Sequence, residues 1–199
     1  MLTAEITLER YTKKGQLLQS LKQKSRSFLK QFIQLIEAHT NQVAVTITDI
    51  TGTARTVNPE DVDFFSTPGG GHGYVDPSQR QVQVENVGIV LGTGTTSPTP
   101  TDHKLETKIA HGKGSGQLLH LGSALYPVVV SAPDAYVDLI RFFENQSGAS
   151  ITINEIGIYA LAHSAHYGVC ICRDVLSTAV TVANGELLKA RYRIKVSVS

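Results

Sequence analysis

From Ser150 onward, apolar and polar positions alternate along the chain, in runs broken by glycine-containing turns. Ile151, Ile153, Ile156 and Ile158 mark one strand. Val180-Thr181-Val182 ends another, and a third runs from Leu187 to Val198 after the turn Ala183-Asn184-Gly185-Glu186. The same two-residue period appears from Gln42, where Val43, Val45 and Ile47 share a face, Thr51-Gly52 turns the chain and residues 53–57 return. Residues 81–91, 118–131 and 135–144 read as further strands, the last with Val137, Leu139, Ile140 and Phe142 inward, and residues 105–110 as a short extended piece.

A helical period is confined to residues 16–38. There Leu17, Leu18, Leu21, Phe28, Leu29, Phe32, Ile33 and Ile36 recur at helical spacing, with Gln, Lys and Ser on the other face. About eight to ten short strands at turn spacings near 8–12 residues, without strand–helix alternation, predict a mainly β fold. The expected architecture is an antiparallel, jelly-roll-like β-sandwich preceded by one N-terminal amphipathic α-helix. Its expected organisation is a helical docking segment over 1–40 and a β-sandwich domain over 41–199. Between the strands lie two long loops, 58–77 with Phe64 and Phe65 and 92–104 rich in Gly, Pro and Thr, of a length that is often partner-facing.

Charge sharpens this picture. The chain holds 18 basic and 17 acidic residues, a balance that argues against nucleic acid as its main partner. Residues 1–39 carry seven basic against three acidic residues, so a basic segment precedes a mildly acidic body. Cys170 and Cys172 are too close in one strand to close a useful loop, which predicts synthesis in a reducing compartment. No basic-then-apolar leader and no apolar run of about 18 residues is present, so a soluble chain without a membrane partner is expected.

Four constellations could carry chemistry. Gly92-Thr-Gly-Thr-Thr and Gly112-Lys113-Gly114-Ser115 resemble pieces of phosphate loops, but neither is followed by a helix whose amides would face a phosphate. His163, His166, Cys170 and Cys172 are zinc-ligand types within ten residues and form a candidate metal site. The competing reading has both cysteines as small hydrophobes in a buried strand. Ser, His and Asp are plentiful, yet no G-x-S-x-G elbow occurs, and Asp61 with Asp63 or Asp134 with Asp138 read as solvated loop acids. Tyr126, Tyr136, Tyr159, Tyr167 and Tyr192 could serve carbohydrate recognition in a chain without Trp, although core packing explains most of them.

The ordered series Gly88-Ile-Val-Leu-Gly-Thr-Gly-Thr-Thr-Ser-Pro-Thr-Pro-Thr-Asp102, Leu105-Glu106, Phe142-Phe143-Glu144-Asn145, Ile153-Asn-Glu-Ile-Gly-Ile-Tyr159, Arg173-Asp-Val-Leu176 and Gly185 to Val196 spans residues 86–199. It resembles small β-rich structural proteins of tailed-bacteriophage virions, from the tail, baseplate, neck or capsid exterior. Cys170 and Cys172, and the basic stripe Lys189, Arg191, Arg193 and Lys195, depart from that pattern. The resemblance implies assembly without catalysis or cofactor. The implied partners are other virion proteins and copies of the same chain, with a host-surface glycan as a further candidate, after synthesis in the host cytoplasm. Expected interface residues are Leu21, Phe28, Phe32 and Ile36 on the helix and Lys189, Arg191 and Arg193 on the last strand. The alternative class is a ligand-binding β-sandwich module.

Overall fold

The structure, a computed structural model, describes residues 2–63, 85–162 and 167–198. It is mainly β, with antiparallel sheets and one short helix. The first strand, β1 (Leu2–Tyr11), has the alternation that builds it. Ala4, Ile6 and Leu8 are buried, while Glu5 and Glu9 point the other way. A turn with Gly15 at φ 83° leads to β2 (Leu17–Ser25), which pairs with β1 over Ala4↔Ser25 to Tyr11↔Leu17.

The helix expected over 16–38 is therefore corrected. Residues 17–25 are a strand, and α1 begins only at Lys30 and runs to Asn41 (Lys30–Asn41). The segment between them lies along the sheet: Phe28 bridges Cys172, the Leu29 amide donates to Ile171 O and the Arg173 amide to Ser27 O. Helix α1 buries Gln31, Leu35 and Ala38 at helical spacing and ends at Gln42, whose φ of 55° is left-handed. Leu35→Ala is expected to cost about 2–5 kcal/mol, and Ile33→Ala, at a side chain 61% exposed, less than about 0.5 kcal/mol. Chemical denaturation of the two variants checks this assignment of the helix faces.

A hairpin of β3 (Val45–Thr48) and β4 (Ala54–Val57) follows, then a 3-10 turn at Pro59–Asp61, β5 (Val62–Asp63) and, after the undescribed stretch, β6 (Gly88–Gly92). The later strands are β7 (Leu119–Leu125), β8 (Val129–Ser131), β9 (Asp134–Glu144), β10 (Ile151–Ala162), β11 (Tyr167–Val182) and β12 (Leu187–Ser197). One six-stranded sheet has the order β2-β1-β12-β9-β7, with β8 also on β9. A four-stranded sheet has the order β11-β10-β5, with β6 also on β10. Both contribute to one hydrophobic core: Ile6, Leu8, Leu139, Phe143, Leu188 and Tyr192 from the first, Ile151, Ile153, Ile156, Ile158, Val169 and Val180 from the second.

Strand β9 presents Leu139, Arg141 and Phe143 to the interior, so the inward placement expected for Phe142 is reversed. In β10 the isoleucines fall at intervals of two, three and two. The register against β11 shifts between Ile153 and Glu155, so Ile156 and Ile158 stay with Ile151 and Ile153 in the core. Glu155, Gly157 and Tyr159 turn to the opposite face, where Leu105 and Tyr159 join a second, smaller cluster with Leu29, Val90 and Cys170.

Candidate functional site

The opposite face of the four-stranded sheet is crossed by residues 93–107. Their base is closed by backbone bonds from Thr93 N to Thr107 O and from Ile109 N to Leu91 O. At the centre lies Glu155, fully buried, whose carboxylate accepts four hydrogen bonds. Its Oε1 takes the amides of Gly94 (3.1 Å) and Thr107 (2.7 Å), and its Oε2 takes the amide of Glu106 (3.0 Å) and Nε of Arg173 (2.9 Å). A buried carboxylate needs such a set, because each lone pair left without a donor costs desolvation energy.

Arg173 extends the network. Its Nη1 donates to Asp102 Oδ2 at 2.6 Å, its Nη2 donates to Thr96 O at 2.9 Å, and Glu106 Oε2 lies 3.6 Å away. Asp102 also accepts the Thr99 amide and hydroxyl, and Glu106 those of Thr96. Burial by itself would raise the Asp102 carboxyl, but the Thr99 hydrogen bonds and the Arg173 guanidinium hold it below the usual carboxylate range. The Glu106 carboxyl is lowered chiefly by its bonds from Thr96.

Two further ties complete the crossing. The Leu105 amide donates to the Tyr159 hydroxyl at 2.9 Å, and Asn154 Nδ2 donates to Thr93 O. The helix is held by the same segment, since the Lys30 amide reaches Pro100 O and Gln31 Nε2 reaches Asp102 O. Gly92 and Gly94 are required by this closeness: a Cβ on Gly94 would lie 2.5 Å from Glu106 Cβ, and one on Gly92 would meet Glu155 and Thr107 O. A surface cleft of about 280 Å³ remains beside the segment, lined by Thr96, Ser97, Thr99, Asp102, His103 and Glu106 among others.

This arrangement explains why the glycine-rich stretch is no phosphate loop. The amides of Gly94 and Thr96, which a phosphate would require, already donate to the carboxylates of Glu155 and Glu106. In the second stretch Gly114 donates to Gln117, and the chain continues into a strand. Of the candidate metal ligands, His163 and His166 lie outside the described residues. Cys170 and Cys172 are free and buried in different core clusters, with burial pushing both thiols up. No group of three or more metal-ligand side chains occurs among the described residues.

The basic stripe finds its acids within the chain. Lys189 pairs with Glu9 at 2.9 Å, Arg193 with Asp138 at 2.7 Å and Lys195 with Asp134 at 3.2 Å, while Arg191 donates to Thr7. These contacts form a cross-strand ladder over β1, β12 and β9, and Arg193 also stacks on Tyr136, 3.6 Å from its ring centre. Asp134 and Asp138, read as loop acids, belong to this ladder; the side chains of Asp61 and Asp63 lie outside the described set.

Leu21, Phe28 and Phe32 pack against this chain's own core, with the two phenylalanine rings 4.6 Å apart, whereas Ile36 is 40% exposed. Tyr159 and Tyr192 are buried, Tyr167 lies under Arg55, and Tyr126 is exposed. Loop residues 66–77 lie outside the described residues.

Two buried polar clusters escaped the sequence reading. Asp174 accepts from the Ser25 hydroxyl (2.7 Å), the Arg26 amide (3.0 Å) and the Tyr192 hydroxyl (3.2 Å), joining β2, β11 and β12. Arg141 points into the interior and donates to Val87 O and Ile89 O, with burial bringing it down to about 10. Beside it His120 is buried edge-on to Phe143. The available signal was a charged residue inside an otherwise apolar strand, as in Val-Cys-Ile-Cys-Arg-Asp and Leu-Ile-Arg-Phe-Phe, which has to find a buried partner. Comparison with protein-family models, with curated proteins and with solved structures brings no match.

Proposed function

We propose that this chain is a non-enzymatic structural subunit of a tailed-bacteriophage particle, from the tail, baseplate, neck or capsid exterior. It is built as an antiparallel, jelly-roll-like β-sandwich, is made in the host cytoplasm, and is incorporated into the virion beside other virion proteins and copies of itself. One observation carries the reading. The residues that bear the likeness, Gly92, Gly94, Thr96, Asp102, Leu105, Glu106, Glu155, Gly157, Tyr159 and Arg173, lie far apart in sequence and meet in one place. Their polar atoms are directed at one another and at the backbone of residues 93–107.

Such a cluster suits a part whose shape must be fixed, because a fully satisfied buried network specifies a single arrangement of loop, sheet and helix. The intramolecular ladder on β12 changes how assembly would work. Lys189, Arg191 and Arg193 are engaged within the sheet, so contacts to neighbours fall to the remaining exposed surfaces, including Ile33 and Ile36 on α1 and the uncharged sheet edge. Mass spectrometry of virions purified from the culture that carries the gene tests the reading. Peptides of this chain in integral ratio to other particle proteins are expected. Absence from purified particles, with the chain present in the infected lysate, overturns it.

A further inference from the structure

We propose that the uncharged edge at residues 126–131 is a self-association surface, and that its occupant is the same edge of a second copy of this chain. The inference rests on the assembly reading for its biological setting and adds to it the surface and the partner. Strand β8 pairs with β9 alone among the described residues, so its other side offers backbone amides and carbonyls without a strand partner there. Sheet edges are ordinarily guarded by charge. The opposite edge of the same sheet is guarded in that way, since β2 carries Lys22 and Lys24 at exposed positions. Residues 118–133, by contrast, contain no Asp, Glu, Lys or Arg.

What this edge exposes is apolar. Val128 is 69% exposed and Val130 78%, with Tyr126, Val129, Val196 and Val198 also uncovered nearby. Next to them a groove of about 210 Å³ is lined by Val128, Ala135, Tyr136, Val137, Ile194 and Val196, together with Lys195. Ile194 and Val137 are paired in register one step beyond Tyr192 and Leu139, so the groove continues the core-facing side of the sheet past the covered core.

The chemistry selects the occupant. The basic β2 edge laid here would press Lys22 and Lys24 against exposed valines and bring them toward Lys195, a like charge, and is disfavoured for that reason. A second β8 introduces no charge. Antiparallel pairing about a two-fold axis sets valine against valine, and each copy brings both a protruding valine and a groove, as an isologous contact requires. Pro127 and Pro133 bound the strand and limit the pairing to the residues between them.

The exposed apolar side chains amount to roughly 300–400 Å² per copy, at about 60–120 Å² of apolar surface per aliphatic side chain. That is about half of the ~800 Å² per partner of a standard interface. A contact of this size belongs with small, transient interfaces, so a weak, concentration-dependent dimer is expected.

Sedimentation velocity of the full chain over about 1–200 µM, a range set to bracket micromolar affinity, tests this. The wild-type chain is expected to pass from monomer to dimer, and Val128→Asp with Val130→Asp to weaken association at least about tenfold, with an unchanged far-ultraviolet circular dichroism spectrum. Leu18→Asp, on the guarded edge, should leave association unchanged. Should the double variant misfold, Val130→Cys serves instead. It should give a covalent dimer on mild oxidation of the dilute protein, because Cys170 and Cys172 are buried and inert.

A wild-type chain that stays monomeric over the whole range, a dimer indifferent to the valine substitutions, or a Val130→Cys chain that does not cross-link overturns the inference. The two claims fail separately. A monomer found in virions keeps the assembly reading and removes this one, whereas an edge-dependent dimer missing from virions does the reverse.

Discussion

Arg173→Met is expected to lower the unfolding free energy by about 3–5 kcal/mol, among the largest effects of any single substitution outside the apolar core. The side chain is 4% exposed and is the only cation within ion-pair distance of Glu155 among the described residues. Removing it leaves two buried or half-buried carboxylates, Glu155 and Asp102, without their positive partner, and a charge stranded in a low-dielectric site costs far more than an intact pair contributes. Urea denaturation measures the loss. Adding Glu155→Gln to Arg173→Met should cost less than Glu155→Gln does alone, because the two side chains act as a unit. Additive effects would contradict the geometry.

The carboxyls of Asp102 and Glu106 lie below their ordinary values in the fold. The stability they contribute is therefore complete above about pH 4–4.5 and fades only as pH falls through their folded values.

A second large effect arises at milder acidity, from His120. Burial first, then repulsion from Arg141 with smaller contributions from His111 and Lys108, pushes its imidazole down to about 2, against a weaker opposing hydrogen bond with the Ile109 backbone. The unfolded chain takes up a proton near pH 6.5 that the folded chain refuses. Stability is accordingly full above pH 6.5 and falls below it by up to about 1.4 kcal/mol per pH unit. Between pH 7 and pH 5 a loss of about 2 kcal/mol is expected, in a window above the titration of the carboxylates. His120→Leu should abolish that slope, and its stability at pH 5 should exceed that of the wild-type chain. Denaturation midpoints of both proteins at pH 7, 6 and 5 decide the matter, and a wild-type profile flat over this range would refute the assignment.

Where burial shows in hydrophobicity, the sequence was readable; where polar groups line the interior, it was not. The hairpin β3–β4, the turn at 183–186 and the last two strands follow from alternation alone, as does the mainly β class. Strand β2 misled because its residues facing β11 include polar ones. Gln23 bonds Val175 O and the Ser177 amide, and Ser25 bonds Asp174, so Leu17, Leu18 and Leu21 were left to join Phe28 and Phe32 in a spurious helical stripe. The alternation of Ala4, Ile6 and Leu8 announced β1, yet its charged outer face hid it among the basic residues of the first segment.

The cluster around Arg173 was legible as a set of motifs but not as a place. Nothing in local spacing brings Asp102, Glu155 and Arg173 together; the register of β10 with β11 and the closure of residues 93–107 do so. The stripe on β12 was visible in sequence, but its partners on β1 and β9 follow only from the strand order.

That residues 93–107 are a fixed layer of the fold, fastened by Glu155 and Arg173, is the claim on which the rest depends, and native-state amide hydrogen exchange tests it most directly. The amides of Gly94, Leu105, Glu106 and Thr107, which donate to Glu155 and Tyr159, should exchange as slowly as those of Ile156 and Ile158 in β10, and Arg173→Met should speed the former group selectively. Exchange of these four amides at the rate of an exposed loop in the wild-type protein would contradict it.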